Sequence, residues 1–389
     1  MKGLGITAVG VAALGIFAVA RVLAAAAGDV PRYTVDPNWP KQLPNNWIMG
    51  QVGGVAVDAQ DHIWVLQRPN SLTADELGAA QTPPRNDCCV KAPSVLEFDA
   101  VGNVIKSWGS PGFVPDWPAN EHALWIDKGG NVWISGNGVD DRAVLKFSAE
   151  GKLLLEIGGK SKAPKNNQDT ALLGRVAGIE VDDAAHEVYF ADGYLNNRIV
   201  VYDSNTGEYK RGWGAYGMPL SEIANSVEQI ENEVSADGKI APYAPADAPD
   251  KQFRSPVHCV RISVDGLVYV CDRHNDRIQV FTKQGKFVSE FSLRPATLGN
   301  GSTWTVAFSH DAKQKYLLVV DGENSVVWIV NRGDGAIVSS FGHNGRSAGQ
   351  FHWVHQLAMD SKGNVYTGEV DTGKRMQKFT LQGASARSN

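Results

Sequence analysis

The chain has 389 residues, of which 43% are apolar and 41 are glycine, enough for a sizeable core connected by many turns. Its net charge of −5 argues against nucleic acid or an anionic membrane as a partner. We expect a monomer that contacts a membrane at most through an N-terminal anchor.

The first 27 residues predict a targeting segment. Lys2 precedes the apolar stretch 3–20, and Ala24 opens a run of small residues before Gly28. Arg21 interrupts the usual order and leaves 18 apolar residues, close to the length of a membrane span. The segment is either a cleaved signal peptide or an N-terminal membrane anchor. Both alternatives predict export, to the periplasm or as a secreted protein.

Four cysteines fit an exported protein without requiring one. Cys259 and Cys271 fall on consecutive predicted strands, where a disulfide and two buried free thiols are both open. The adjacent Cys88 and Cys89 lie in a proline-rich loop, as either a loop staple or a reactive pair.

Six segments within 49–382 share one pattern of four strands with two glycine or aspartate turns. The first segment, for example, places its strands at 54–58, 63–66, 95–99 and 104–109. The pattern predicts an all-β, six-bladed β-propeller with four-stranded blades; a β-solenoid is the alternative. The sixth segment, 355–380, is one strand short. Residues 32–39 of the N-terminal segment 28–48 could supply that strand and close the ring.

Strand direction places the long insertions on one face of such a propeller, because antiparallel strands alternate in direction. These insertions are residues 69–93, 111–120, 160–173 and 215–255. The other face receives only tight turns. Residues 221–234 within the last insertion predict a helix, with Ser221 as N-cap, that is either a lid or a surface excursion.

Three histidines occupy one position in alternate repeats, each five residues before the residue that opens a tight turn. The pairs are His122 with Asp127, His258 with Ser263, and His355 with Asp360. One axial histidine would usually be a core residue. Three in alternate blades predict a three-fold ring at the axis that leaves a fourth coordination position open, as in catalytic zinc sites.

Residues that end the second strands predict a polar rim above the histidines. Arg68 follows Asp58 by ten residues, Arg273 follows Ser263 by ten, and Asn137 and Tyr194 lie at or near this offset. The arginines could hold a carboxylate, and the phenol could exchange a proton. Alternatively, Arg273 pairs with Asp272 or Asp276 and Arg68 caps its loop.

Together these residues resemble the peptidyl-α-hydroxyglycine α-amidating lyases, over about residues 50–381. Two stretches are the most specific, Asp-Gly-Tyr-Leu-Asn-Asn-Arg-Ile-Val at 192–200 and Asp-Arg-His-Asn-Asp-Arg-Ile-Gln-Val-Phe at 272–281. The resemblance implies that His122, His258 and His355 bind Zn²⁺. It also implies that Tyr194 is the catalytic base and that Arg68 and Arg273 bind the substrate and its carboxylate. The family's reaction splits a peptidyl-α-hydroxyglycine into a peptide amide and glyoxylate.

The sequence departs from this family near the third histidine. Trp353 replaces a methionine that lines the family's pocket, and Gln356 replaces an aspartate that helps to hold calcium. Leu195 replaces a disulfide cysteine. We therefore expect zinc without support for Ca²⁺, with Asn137 and Trp353 also contacting substrate. The substrate could be a peptide or a related carbinolamide. The alternatives are a non-catalytic binding scaffold and a lactonase-type propeller hydrolase.

Overall fold

The computed structural model describes residues 30–226 and 250–382. Its strands form six four-stranded antiparallel sheets, and these are the blades of a six-bladed β-propeller. The predicted fold class is therefore confirmed. In every blade, the first strand of the repeat is the one nearest the axis. The predicted targeting segment, residues 1–27, lies outside the described residues.

In every blade the four strands follow one another outwards from the axis. Blade 1 contains Gln51–Val57, Ile63–Arg68, Val95–Phe98 and Val104–Trp108. Blade 2 contains Glu121–Ile126, Val132–Gly136, Ala143–Phe147 and Leu153–Gly158. Blade 3 contains Gly178–Asp182, Glu187–Asp192, Arg198–Asp203 and Tyr209–Trp213. Blade 4 contains Val257–Ile262, Leu267–Asp272, Arg277–Thr282 and Phe287–Ser292. Blade 5 contains Thr305–Phe308, Tyr316–Asp321, Val326–Asn331 and Ile337–Phe341. Blade 6 contains Val354–Met359, Val365–Glu369, Met376–Gln382 and Arg32–Asp36.

The core is divided among the spaces between neighbouring blades. Trp64 of blade 1, for example, packs in one cluster with Ile134 of blade 2, and Tyr189 of blade 3 packs in another with Val268 of blade 4. Both faces of a middle strand are covered by adjacent blades. Every residue of the strand Ile63–Arg68 is therefore buried, without the polar alternation of a half-exposed sheet.

The N-terminal strand closes the ring. Arg32–Asp36 pairs antiparallel with Met376–Gln382, which removes the free edge that the sixth repeat would otherwise present. The ring of Tyr33 lies 4.8 Å from that of Phe341, so the closing strand is also anchored against blade 5.

The loops contain short helical turns and one extra strand pair. Trp47–Ile48 pairs in parallel with Val90–Lys91. The 3₁₀ turns are Pro69–Ser71, Ala74–Glu76, Gly78–Ala80, Ala215–Gly217, Leu220–Glu222 and Arg273–Asn275. No helix in the described part of the chain is long and apolar enough to cross a membrane.

The predicted helix 221–234 is wrong over residues 221–226, which are the part of it that the structure describes. The structure has only the 3₁₀ turn Leu220–Glu222 here; Pro219 and not Ser221 occupies its N-cap position, without a side-chain cap hydrogen bond. Ile223 then has an extended backbone (φ −75°, ψ 123°), which ends the turn. Residues 227–234 lie outside the described residues.

Both cysteine pairs form disulfides. Cys259 and Cys271 face each other in register on the first two strands of blade 4, with their Cα atoms 4.8 Å apart. The vicinal pair Cys88–Cys89 is also joined. No free cysteine remains in the described chain.

Candidate metal centre

Each histidine of the predicted ring is the second residue of an innermost strand, and each lies at an irregularity in the strand pairing. In blade 4, Val257 pairs with Asp272 and Cys259 pairs with Cys271, so His258 has no register partner. The same break occurs at His355 and beside His122. A β-bulge redirects a side chain out of the regular alternation. Three bulges at equivalent positions thus direct three imidazoles towards the axis.

The three imidazoles meet in a buried cluster. Ring centroids are 5.2 Å apart for His122 and His258, 4.7 Å for His122 and His355, and 5.0 Å for His258 and His355. One ligand nitrogen from each ring lies within 4.8 Å of the others. All three residues are at least 98% buried.

Backbone carbonyls of the intervening blades fix the orientation of each imidazole. The acceptors of the three Nδ1 atoms are Ala177 O at 3.1 Å for His122, Trp304 O at 2.5 Å for His258 and Gly53 O at 3.0 Å for His355. A neutral imidazole that donates from Nδ1 keeps its Nε2 lone pair free for a metal. Blades 1, 3 and 5 therefore supply the acceptors, and blades 2, 4 and 6 supply the ligand nitrogens.

Electrostatics keeps these imidazoles neutral. Burial is the largest cause that lowers the pKa of His122 and of His355 well below the usual value, and the charges of Arg68 and Arg273 add to it. The pKa of His258 is lowered by burial and then by Arg273. Three neutral nitrogen donors in a buried cluster fit a borderline-soft divalent cation such as zinc.

Tyr194 lies on the ring of histidines. Its hydroxyl is 2.9 Å from Nε2 of His122 and 3.3 Å from Nε2 of His258. The loop that carries Tyr194 is pinned at both ends, because Asp192 ends the second strand and Arg198 begins the third. Their buried ion pair is 2.8 Å long. The phenol is therefore held next to the nitrogen atoms that would bind a metal.

Arg273 is buried without a carboxylate partner among the described residues. Asp272 pairs instead with Arg277, at 2.7 Å, so the alternative that Asp272 neutralises Arg273 is wrong. The guanidinium carbon of Arg273 lies 4.6 Å from the ring centroid of Trp304 and 6.0 Å from that of Tyr194. Nη2 donates to Asn300 Oδ1 at 3.2 Å, whereas Nε has no hydrogen-bond acceptor in the described structure.

Arg68 reaches the same centre from blade 1. Its Nε donates to the carbonyl oxygen of Glu121 at 2.6 Å, and its Nη1 donates to Gln51 Oε1 at 2.7 Å. A Cβ atom on Gly53 would lie 2.5 Å from that same carbonyl oxygen, so glycine is required at this close approach. Like Arg273, Arg68 has no ion pair within the described chain, and burial is the main cause that lowers its pKa.

A third guanidinium, which the sequence did not predict, also lies beside Tyr194. The Arg175 guanidinium carbon lies 5.8 Å from the ring centroid of Tyr194. Its Nε and Nη2 both donate to the carbonyl oxygen of Asn137, at 2.8 and 2.5 Å. The main-chain carbonyl of Asn137 therefore positions Arg175, whereas the Asn137 side chain accepts a hydrogen bond from Asn120. Arg175 lies in the link between blades 2 and 3. Because this link is outside the repeated strand pattern, comparison of the repeats gave no indication that Arg175 belongs to the site.

Trp353 reaches the site through an unusual backbone conformation. Its φ is +58°, and its ring lies 5.9 Å from that of Trp304, which in turn contacts His355 at 5.8 Å. Trp353 and Trp304 thus form an aromatic wall beside the histidines. Gln356 is buried next to His355 on the innermost strand of blade 6, and it offers a neutral carboxamide in place of a carboxylate.

A second group of possible metal ligands, Asp58, His62 and Glu97, lies at the opposite face, where it belongs to a turn and its contacts. Asp58 accepts hydrogen bonds from the backbone of His62 and from the indole of Trp64, as Asp127 does for the equivalent turn of blade 2. Glu97 is engaged by His62 at 2.8 Å and by Lys106 at 3.5 Å. The turn and the ammonium group of Lys106 account for most contacts of this group, although Glu97 Oε2 accepts no hydrogen bond within the described chain.

Fold and site together define a six-bladed β-propeller with a buried three-histidine centre. No protein family model matches the chain. The chain is similar to peptidylglycine amidating monooxygenases and lyases and to NHL repeat proteins.

Three curated relatives illustrate this. Peptidyl-glycine alpha-amidating monooxygenase B of Xenopus laevis is 26% identical over 365 residues, covering 91% of this chain and 36% of that protein. NHL repeat-containing protein 3 of Mus musculus is 24% identical over 368 residues, covering 90% and 84%. The probable peptidyl-alpha-hydroxyglycine alpha-amidating lyase pgal-1 of Caenorhabditis elegans is 24% identical over 286 residues, covering 72% and 69%.

The chain spans about a third of the length of the amidating monooxygenases that it matches. Among solved structures, a streptogramin B lyase aligns with a TM-score of 0.48 at 14% identity, covering 92% of this chain and 99% of that one. That likeness is too weak to bear on the chemistry.

Proposed function

We propose that the chain is a zinc-dependent lyase that splits the C–N bond of a carbinolamide bearing a carboxylate, giving an amide and a glyoxylate-type carbonyl compound. The observation that carries the proposal is the convergence of three oriented, neutral imidazoles with a phenol and two buried guanidiniums that lack a carboxylate. Zinc, when bound, supplies a Lewis acid that lowers the pKa of a hydroxyl group.

The arginines have the chemistry to bind the substrate. A buried guanidinium without a counter-ion is costly, and an incoming carboxylate offsets that cost with charge-assisted hydrogen bonds. Arg273 keeps its Nε free of protein acceptors, and its plane is held by the ring of Trp304. Arg68 is anchored through Nε and Nη1. These contacts set the guanidiniums before substrate arrives.

Tyr194 moves the proton in this proposal. The substrate hydroxyl gives up its proton, its C–O bond becomes a carbonyl, and the C–N bond breaks. The leaving amide nitrogen takes up a proton, so no water enters the balance. Tyr194 is suited to relay that proton because its hydroxyl lies among the ligand nitrogens on a pinned loop.

The test is glyoxylate release from benzoyl-α-hydroxyglycine. Activity should be abolished by a chelator and restored by zinc. Tyr194→Phe and Arg68→Ala should each lower kcat/KM by roughly 10²–10³, whereas Tyr209→Phe, at a tyrosine on an outer strand, should change little. Turnover that is indifferent to chelation and to both substitutions would refute the mechanism.

A second candidate is a non-catalytic binding scaffold, because a propeller fold does not by itself fix a function and the match to NHL repeat-containing protein 3 over 90% of the chain names a repeat and no reaction. Metal content separates the two. About one zinc per chain, lost in His258→Ala, supports the enzyme, whereas a metal-free and fully folded protein supports the scaffold.

We also propose export, on the basis of the targeting segment at 1–27. The disulfide between Cys259 and Cys271 supports it, because structural disulfides persist in oxidising compartments. Fractionation of cells that express the full chain should recover the protein outside the cytoplasm. Recovery in the cytoplasm with reduced cysteines would contradict this proposal.

A further inference from the structure

An open-mouthed chamber lies on the propeller axis at the opposite end from the histidines. It measures about 250 Å³ and is lined by the innermost strands of all six blades, so it encircles the axis. In blades 2, 4 and 6 its wall includes Trp125, Arg261 and Ala358, each three residues beyond the ring histidine of the same strand. At about 3.3 Å per residue, the chamber centres roughly 10 Å from the histidine layer.

One corner of this chamber contains two ionisable side chains, and the rest is mostly apolar. Glu180 of blade 3 and Arg261 of blade 4 form that corner, and the guanidinium carbon of Arg261 lies 5.2 Å from the ring centroid of Trp125. The remaining wall is hydrophobic except for Gln314, and it includes Val55, Val57, Ile262, Phe308, Leu357 and Met359.

These two side chains do not form a hydrogen bond with each other. Nη1 of Arg261 lies 3.8 Å from Oε2 of Glu180, too far for a hydrogen bond. That Nη1 donates instead to the carbonyl oxygens of Ile179 and Val260, at 3.0 and 2.8 Å. Oε2 of Glu180 has no hydrogen-bond partner within the described chain, although Glu180 is 93% buried. Buried polar atoms normally have a partner, whether protein, water or ligand.

The geometry points to a binding site for a small organic carboxylate in this chamber, which we propose as a function separate from the lyase activity. Since Nη1 is occupied by carbonyl groups, the Nε–Nη2 edge of Arg261 is left for a bidentate contact with a carboxylate. The hydrophobic wall would take the apolar body of the ligand, and the volume, just below the usual range for ligand pockets, restricts that body to a small one.

Glu180 is compatible with an anion beside it. Burial raises its pKa to about 8, against the opposing effect of Arg261. At neutral pH its carboxyl group therefore carries a proton that it can donate to a bound carboxylate.

The probe is 4-fluorobenzoate, followed by ¹⁹F NMR with the zinc-loaded full chain. The proposed lyase site also binds carboxylates, so the titration uses an Arg68→Ala/Arg273→Ala background that removes its arginines. We expect binding to persist there and to weaken at least tenfold when Arg261→Gln is added. Arg211→Gln is the matched control, since Arg211 also stacks on an aromatic ring and pairs with a glutamate, but lies outside the chamber.

Phe308→Trp provides a second variant that fills the chamber and leaves Glu180 and Arg261 in place. It should also abolish binding, and it decides the question if Arg261→Gln does not fold. The proposal is overturned if the double-arginine background binds no probe at millimolar concentration, which would leave ordered water as the occupant. Binding that survives both chamber variants would overturn it as well. Neither result bears on glyoxylate release, so the two proposals fail independently.

Discussion

Three guanidiniums surround one phenol at the centre. Arg68, Arg175 and Arg273 approach Tyr194 from blade 1, from the link before blade 3 and from blade 4. Their repulsion and desolvation oppose folding. Such a concentration of positive charge makes the site selective for anions, which is the chemistry that the proposed carboxylate substrate requires.

Arg175 provides a prediction at this scale. Arg175→Gln removes the charge beside Tyr194 and the paired hydrogen bonds to Asn137. We expect the rate of glyoxylate release to fall roughly tenfold to a hundredfold with zinc content unchanged, since Arg175 contacts no ring histidine in the described structure. Arg85→Gln, at an exposed loop arginine, is the control. Normal activity in Arg175→Gln would show that the third charge has no role in the reaction.

Glu180 provides a prediction about pH. Its pKa is about 8 in the folded protein, above the ordinary carboxyl value of 4.5. The folded state therefore holds more protons than the unfolded state between these pH values, and the stability from this group is lost as pH rises through 8. The free energy of unfolding of Glu180→Gln minus that of the wild type, both measured with urea, should therefore increase between pH 5 and pH 9. A constant difference across this range would contradict the raised pKa.

At the scale of strands, irregular pairing is what forms the centre. A regular strand would direct the side chain of His258 along the alternation of its neighbours, whereas the break between Val257 and Cys259 redirects it. The disulfide of Cys259 to Cys271 ties the first two strands of blade 4 together immediately after this bulge. The irregular pairing of the innermost strands therefore orients the side chains of the candidate metal centre.

The ring-closing strand provides a prediction at the same scale. Tyr33→Ala removes the contact with Phe341 and should lower the free energy of unfolding by about 2–3 kcal/mol, below the value for a fully buried ring because Tyr33 is half-buried. Arg32→Ala, at the exposed neighbour in the same strand, should change it by less than about 0.5 kcal/mol. Urea unfolding measures both. Equal effects would mean that this strand adds little to closure.

At the scale of the whole molecule, the centre links three alternate blades. A metal held by His122, His258 and His355 would connect blades 2, 4 and 6, so its binding energy would be lost only when the ring opens. Ligand binding at one hundred times its Kd stabilises a protein by about 2.7 kcal/mol. The effect should therefore appear in the global unfolding transition and not in a local one.

Thermal unfolding tests this link. Chelation should lower the Tm of a single transition by roughly 5 °C or more, and His258→Ala should be insensitive to added zinc. The exposed His343→Ala variant should keep the full response. A chelator effect confined to a separate early transition would indicate that the metal stabilises only part of the ring. Sedimentation of the same samples would test the expected monomer.

The sequence by itself determined the number of blades, the strand that closes the ring and the meeting of three histidines. Each of these follows from periodicity, because a repeated pattern fixes which residues occupy equivalent positions about an axis. The roles assigned to Tyr194, Arg68 and Arg273 stay predictions, although the structure brings all three to the histidines.

Only the tertiary structure decided the contacts between residues outside that period. Asp272 pairs with Arg277 and leaves Arg273 unneutralised, and Arg175 enters the site from a link between blades. Glu180 and Arg261 are 81 positions apart and meet only because blades 3 and 4 are neighbours. Repetition encodes the order of strands, whereas the partner of a side chain between two blades depends on how those blades pack.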